Sequence, residues 1–226
     1  MIISHSHRFI FIKSRKTAGT SVEVALSQHC SRADVVTHLE DHWFNRDQRG
    51  EWLHSSMNAD GFFQHDPAAE VKRKVTPEIW KGYFKFSITR NPWDRVVSDF
   101  SWQARKKPEL RQAERWYHHM GVPFDEFRET AKLFRRFVEG DWTTNDRFYL
   151  ANDELCVDFV MRYESLTEDL AEVCRRVGLP PVELPHLKSG LRKGGHGYVE
   201  YYDDASKAIV AERHRNDVRL FGYEFE

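Results

Sequence analysis

The chain has 226 residues, 40% of them hydrophobic and 14% aromatic, which argues against disorder and provides for one α/β domain with a buried core across 1–226. Its 34 basic and 35 acidic side chains leave a formal net charge of −1, so nothing in the overall charge calls for nucleic-acid binding. Cys30, Cys156 and Cys174 are few, odd in number and free of CxxC or Cys/His metal spacing, a pattern of free thiols in a reducing compartment.

The chain opens on Met1–Ser14, whose only apolar run, Phe9–Ile12, is too short for a signal-peptide core or a membrane span. No later stretch comes closer, and the expectation is a soluble cytoplasmic protein without membrane insertion. Arg8–Lys13 (RFIFIK) predicts a buried strand. Ser14–Ser21 (SRKTAGTS) is a small-residue loop, and Ser21–Ser27 predicts a helix with Val22, Ala25 and Leu26 on one face. Residues 30–65 show no regular period. Asp66-Pro67 and Thr76-Pro77 each pair a capping residue with proline at the first helical position, predicting helices over 67–73 and 77–81. Tyr83–Thr89 is a second strand, after which Asn91-Pro92 caps a helix through Val96, Val97 and Phe100. The charged, aromatic stretch 105–150 is expected to be helical. Asp158–Tyr163 is a third strand, Thr167 is placed as the cap of a helix ending near Gly178, and 185–202 is a basic loop. One helix from Asp204 to Leu220 closes the chain. Strands alternating with helices predict an α/β fold with a mostly parallel sheet covered on both faces.

Two segments carry chemistry. A helix N-terminus presents unpaired N–H groups and a partial positive charge, and so attracts phosphate or sulfate. The strand-loop-helix over 8–27 places Lys16, Thr17, Gly19, Thr20 and Ser21 at such a start. Gly19 allows close backbone approach, the hydroxyls offer donors, and Lys13, Arg15 and Lys16 supply charge. The order departs from GxxxxGK[ST], because Lys16 precedes Gly19, and a plain crossover turn would also use small polar residues. In the second segment, Thr89–Ser98, Arg90 stands at the C-terminal end of a strand, where open α/β sheets bind ligands, and its planar fork suits phosphate. Ser98 lies two turns into the following helix. An arginine where P-loop NTPases often carry an acidic magnesium ligand argues against metal-assisted ATP chemistry. A structural pairing of Arg90 with Asp94 is the plain alternative.

Taken together, Phe11–Ser21 resembles the 5′-phosphosulfate loop, and Phe86–Phe100 the 3′-phosphate motif, of sulfotransferases that use 3′-phosphoadenosine-5′-phosphosulfate (PAPS). The resemblance is strongest to the branch of bacterial sulfotransferases and glycosaminoglycan 2-O-sulfotransferases, which also shares Arg162–Leu166 and Phe221–Phe225. It is weakest over 28–64 and 101–145, where acceptor choice would be written. It implies a P-loop-like sheet, PAPS as sulfuryl donor with its bisphosphate as product, and no metal. It further implies Arg15, Lys16, Thr17, Gly19, Thr20 and Ser21 at the 5′ end of the donor, and Arg90 and Ser98 at its 3′-phosphate. A basic loop near the C-terminus, 188–195, is matched by composition and position, with Arg192 and Lys193 reaching the nucleotide.

A cation fixed on the leaving phosphate oxygen lowers the barrier, and Lys16 is the choice for it. Among the 12 histidines, His65 is the candidate base, because related bacterial sequences carry a similar His ahead of the second strand. A surface or capping histidine is the plain reading of the same residue; His38, His42, His54 and Glu23 are rivals. The acceptor is expected to be a hydroxyl or amine of a carbohydrate or small molecule. A P-loop small-molecule kinase and a non-catalytic nucleotide-binding protein of the same fold are the alternatives.

Overall fold

The computed structural model describes residues 1–39, 56–104, 126–185 and 197–226. The described residues form two compact units, one within Met1–Arg90 and Asn145–Ser189, the other within Asn91–Thr144 and Gly190–Glu226.

The first unit is built on a five-stranded sheet in the order β3-β1-β2-β4-β7, with β1 at Ile2–Ser4, β2 at Phe9–Phe11, β3 at Val35–Val36, β4 at Phe84–Thr89 and β7 at Phe159–Arg162. The three strands predicted from sequence are the three that run parallel, β2 beside β4 and β4 beside β7. Two short strands, β1 and β3, extend the sheet antiparallel at the β2 edge. The architecture is α/β with a mixed, centrally parallel sheet and flanking helices. A separate hairpin joins β5 (Leu150–Ala151) to β6 (Glu154–Leu155). Its two-residue turn holds Asn152 and Asp153 at φ 54° and 61°, as a tight turn matching strand twist requires.

One face of the sheet stacks Phe9, Phe11 and Phe86 against Val22 and Leu26 of helix α1 (Gly19–Ser27) and Leu170, Val173 and Val177 of the helix Leu166–Val177. Phe11 and Phe86 face each other across the parallel pair with ring centroids 5.2 Å apart. Because strand side chains alternate, Ile10 and Ser87 turn to the opposite face and are fully buried there. The helix Leu166–Val177 stops at Gly178, whose φ of 69° is the left-handed conformation glycine adopts without a Cβ penalty.

Three local expectations are corrected. The cap of Leu166–Val177 is Ser165, with Thr167 already inside the helix, because the turn Tyr163–Ser165 runs directly into it. Asp169 reaches back instead, accepting from Arg162 N at 2.7 Å and from the Ser165 hydroxyl at 3.1 Å. Asp66 does not cap the helix Ala68–Lys74, where Pro67 takes that position; the buried Asp66 carboxylate accepts from Phe63 N at 2.9 Å and from the Lys74 ammonium at 2.7 Å. The closing helix is two, Asp204–Arg213 and Arg215–Phe221, broken at His214. The buried His214 ring meets the Asp217 carboxylate at 2.5 Å, fixing the break. Thr76 caps Pro77–Gly82 as predicted, its hydroxyl accepting from Ile79 N at 3.4 Å.

In the second unit, Asn91 caps the helix Pro92–Ala104 through its side-chain oxygen, which accepts from Trp93 N at 3.1 Å and Asp94 N at 3.4 Å. Trp93, Val96, Val97 and Phe100 of that helix pack with Phe134 and Val138 of the helix Glu126–Glu139 and with Val210 and Tyr223. Of the stretch expected to be helical, 105–125 lies outside the described residues. No helix among the described residues is long and apolar enough to cross a membrane.

Candidate functional site

Parallel strands end on the same side of a sheet, and their C-terminal ends are where open α/β sheets take ligands. Three such ends meet here: the loop Lys13–Ala18 after β2, Arg90 after β4, and Tyr163 after β7. Arg90 bridges the other two. Its guanidinium donates to the Lys16 carbonyl at 2.9 Å and lies 4.0 Å over the Tyr163 ring. The two segments singled out in sequence are therefore joined through Lys16 and Arg90. Tyr163, inside the shared stretch Arg162–Leu166, contributes the stack over Arg90.

The loop is held by side chains from two other places and by one of its own. The His65 ring meets the Lys13 carbonyl at 2.9 Å. Asn145, buried and outside any sequence motif, accepts from Arg15 N at 3.3 Å and donates to the Arg15 carbonyl at 2.7 Å. Ser14 donates to the Ile88 carbonyl at 2.5 Å, tying the loop to β4. Within this grip, Lys16 and Ala18 take φ of 62° and 60°, while Arg15 and Thr17 do not. Such alternation in the sign of φ turns successive N–H groups toward one concavity, the backbone form of an anion nest. The nest leads straight into α1, where the N–H groups of Gly19 and Thr20 precede the first intrahelical bonds.

Individual roles then separate. The Arg15 side chain is exposed, and those of Lys16 and Thr20 are half-buried. The Thr17 hydroxyl lies 2.8 Å from the Ser14 hydroxyl. Because the Ser14 hydrogen goes to Ile88, Thr17 is the donor in that pair, and the nest receives its backbone N–H instead. At Gly19 the protein's own chain is close: a Cβ there would stand 2.9 Å from Lys13 Cγ.

Lys13 is not a ligand cation. It is 2% exposed, and its ammonium donates to Glu23 at 2.7 Å and Gln64 at 3.0 Å. Glu23 also pairs with the Met1 amino group, and the two cations hold its carboxyl down to about 2 against the pull of burial. A carboxylate so paired and fully buried is not a base for an incoming acceptor.

His65 fits that task better. A carbonyl only accepts, so its Nδ1 carries the proton and Nε2 keeps its lone pair. Burial, then the Lys13 charge, lowers its pKa to about 3, so the ring is neutral throughout the physiological range. His38 is exposed, while His42 and His54 lie outside the described residues. Arg192 and Lys193 also lie outside them. Ser98 sits on the half-buried face of Pro92–Ala104 and belongs to the second unit. Cys30 is no nucleophile, since burial and then Asp34 push its thiol up to about 12. Among the described residues, no three His, Cys, Asp or Glu side chains group as a metal site.

A sequence model of the sulfotransferase family matches residues 1–224. The chain belongs to the sulfotransferase family. Carbohydrate sulfotransferase 10 of Xenopus laevis is 27% identical across 99% of this chain and 67% of its own length. The mouse protein of the same name is 25% identical across 64% of this chain and 48% of its own, so this sulfotransferase chain matches about half of that relative. An uncharacterized protein of Archaeoglobus fulgidus is 30% identical over 120 residues, 50% of this chain and 83% of its own. No solved structure matches significantly. Family membership makes sulfuryl transfer the general activity and disfavours the kinase reading.

Proposed function

We propose that this sulfotransferase takes its sulfuryl group from PAPS and delivers it to a hydroxyl or amine of a carbohydrate or small-molecule acceptor. The observation that carries the donor assignment is the Arg90–Lys16 bond, which puts a nest of N–H groups and a planar guanidinium side by side at the sheet's C-terminal edge. A nucleotide phosphorylated at both 5′ and 3′ positions matches that pair. The carbohydrate class of acceptor rests on the names of the relatives.

PAPS, when bound, offers a sulfuryl group whose departure leaves negative charge on a phosphate oxygen. The N–H groups of residues 16–20 hold the 5′ end, and Lys16 neutralises the charge that develops there. Arg90 takes the 3′-phosphate, with Tyr163 stacked behind it to keep the guanidinium plane fixed. His65 accepts the acceptor proton at Nε2. Burial, and after it the Lys13 and Arg15 charges, depress its basicity in the free protein; a bound anion offsets the charges, making His65 a stronger base when donor is present.

The test is calorimetric binding of adenosine 3′,5′-bisphosphate, AMP and ATP with magnesium, to wild type and Arg90→Ala. The bisphosphate is expected to bind best and to lose about tenfold or more in Arg90→Ala, the worth of one or two charged hydrogen bonds. AMP, whose phosphate Arg90 reaches only through its clamp on the Lys16 carbonyl, should lose less than the bisphosphate. Preference for ATP, or equal loss of AMP and bisphosphate, overturns the donor assignment.

A further inference from the structure

We infer that Asn145 is a positioning residue for the anion nest, setting the backbone of Lys16 from a distant part of the chain. This rests on the donor-site reading above. Asn145 is 2% exposed and grips both peptide groups of Arg15, 130 residues earlier: Nδ2 donates to the carbonyl at 2.7 Å and Oδ1 accepts from the N–H at 3.3 Å. The pairing dictates the orientation of the amide, because reversing it would set donor against donor and acceptor against acceptor.

Its place in the chain shows that this is not a local cap. Asn145 stands at the N-cap of the 3₁₀ turn Asp146–Phe148, a position at which asparagine ordinarily bonds the following N–H groups, yet its side chain makes no capping bond. It is directed to the loop instead.

The consequence falls on Lys16. The carbonyl held by Asn145 belongs to the peptide before Lys16, and the carbonyl held by Arg90 belongs to the peptide after it. Lys16 has no glycine freedom and still takes φ 62°. An L-residue stays in that conformation only where its surroundings over-determine it. The two clamps do so here, and the sign alternation that forms the nest depends on both. Arg90 is also assigned to the ligand; Asn145, buried and committed on both sides of its amide, acts only through Arg15 and Lys16. Aspartate cannot replace it, since a carboxylate would face the Arg15 carbonyl without a hydrogen.

The experiment compares adenosine 3′,5′-bisphosphate with adenosine 3′-monophosphate, which lacks the phosphate that the nest would hold, on wild type, Asn145→Ala and Asn145→Asp. Asn145→Asp is isosteric, keeps the acceptor for Arg15 N–H, and serves if the alanine variant does not fold. A folded variant is expected to lose about tenfold or more of its bisphosphate affinity while the 3′-monophosphate stays within about twofold. Amide exchange over 15–18 should quicken at least about tenfold. Equal loss of both nucleotides, or unchanged bisphosphate affinity, overturns the inference and leaves the donor site standing. A wild type that binds neither nucleotide overturns the donor-site reading, and the inference with it.

Discussion

Glycine at 19 can be asked whether it serves the ligand or the protein. In Gly19→Ala the new Cβ would stand 2.9 Å from Lys13 Cγ and 3.4 Å from the Ser14 carbonyl oxygen. The first distance is roughly 0.6 Å inside the short end of carbon–carbon contact. Lys13 cannot swing clear, because its ammonium is held by Glu23 at 2.7 Å and Gln64 at 3.0 Å, and it is 2% exposed. Pulling it away would leave the buried Glu23 short of a partner, which costs more than the clash itself. Overpacking of this kind costs about 1–3 kcal/mol. With a urea dependence of about 2–3 kcal/mol per molar, the unfolding midpoint should fall by about 0.3–1.5 M. Tryptophan fluorescence in a urea titration reads it. Repeating the substitution in Lys13→Ala, which lacks Cγ, should remove nearly all of that cost, whatever Lys13→Ala costs alone. An unchanged midpoint in Gly19→Ala, or an equal loss in both backgrounds, refutes the packing argument. Loss of bisphosphate binding at full stability would return Gly19 to the ligand.

Other expectations concern the chemistry. If His65 is the base, kcat/KM for the donor, which reports the free protein, depends on its neutral form, and with a pKa of about 3 the acid limb should lie below about pH 5 instead of near the ordinary histidine value; a limb centred near 6.5 in that profile excludes it. His65→Ala should lower turnover about 10²–10⁴-fold while bisphosphate affinity stays nearly unchanged. The same depression makes His65 a stability group: its contribution is complete above the unfolded pKa of about 6.5 and is lost toward pH 3. Wild type should therefore lose stability faster than His65→Gln by up to about 1.4 kcal/mol per pH unit in that window, measured as chemical unfolding at stepped pH. Lys16→Ala should cost about 10²–10³ in turnover, with partial recovery in Lys16→Arg, and a smaller loss would remove it from the leaving oxygen. Ala18→Gly, at φ 60°, should be neutral or stabilising by up to about 1 kcal/mol, against the loss expected for glycine inside a helix.

Much of the frame was legible in the residues. Phe9–Phe11, Phe84–Thr89 and Phe159–Arg162 lie within compact runs rich in aromatic and β-branched side chains, the types that fit a covered, pleated surface. Thr76 and Asn91 announce their helices, because capping is a contact between near neighbours. The polar loop before α1 and the arginine after β4 are likewise local facts, and they sufficed to point at two anion-binding ends.

The rest depended on contacts that no local pattern carries. Ile2–Ser4 and Val35–Val36 are too short to show a period and are strands only by pairing with each other and with β2. Lys13 and Lys16 look alike in the sequence, yet one is turned into the interior onto Glu23 and the other stays half-buried in the nest. Asn145 carries no mark at all beyond being polar, and it is the fold that lays its amide along Arg15. Propensity and periodicity describe a residue's relation to its chain neighbours. Which cation meets water and which meets a buried carboxylate, and which distant amide closes on a loop, follow from the alignment of parallel strands whose ends converge from separate parts of the chain.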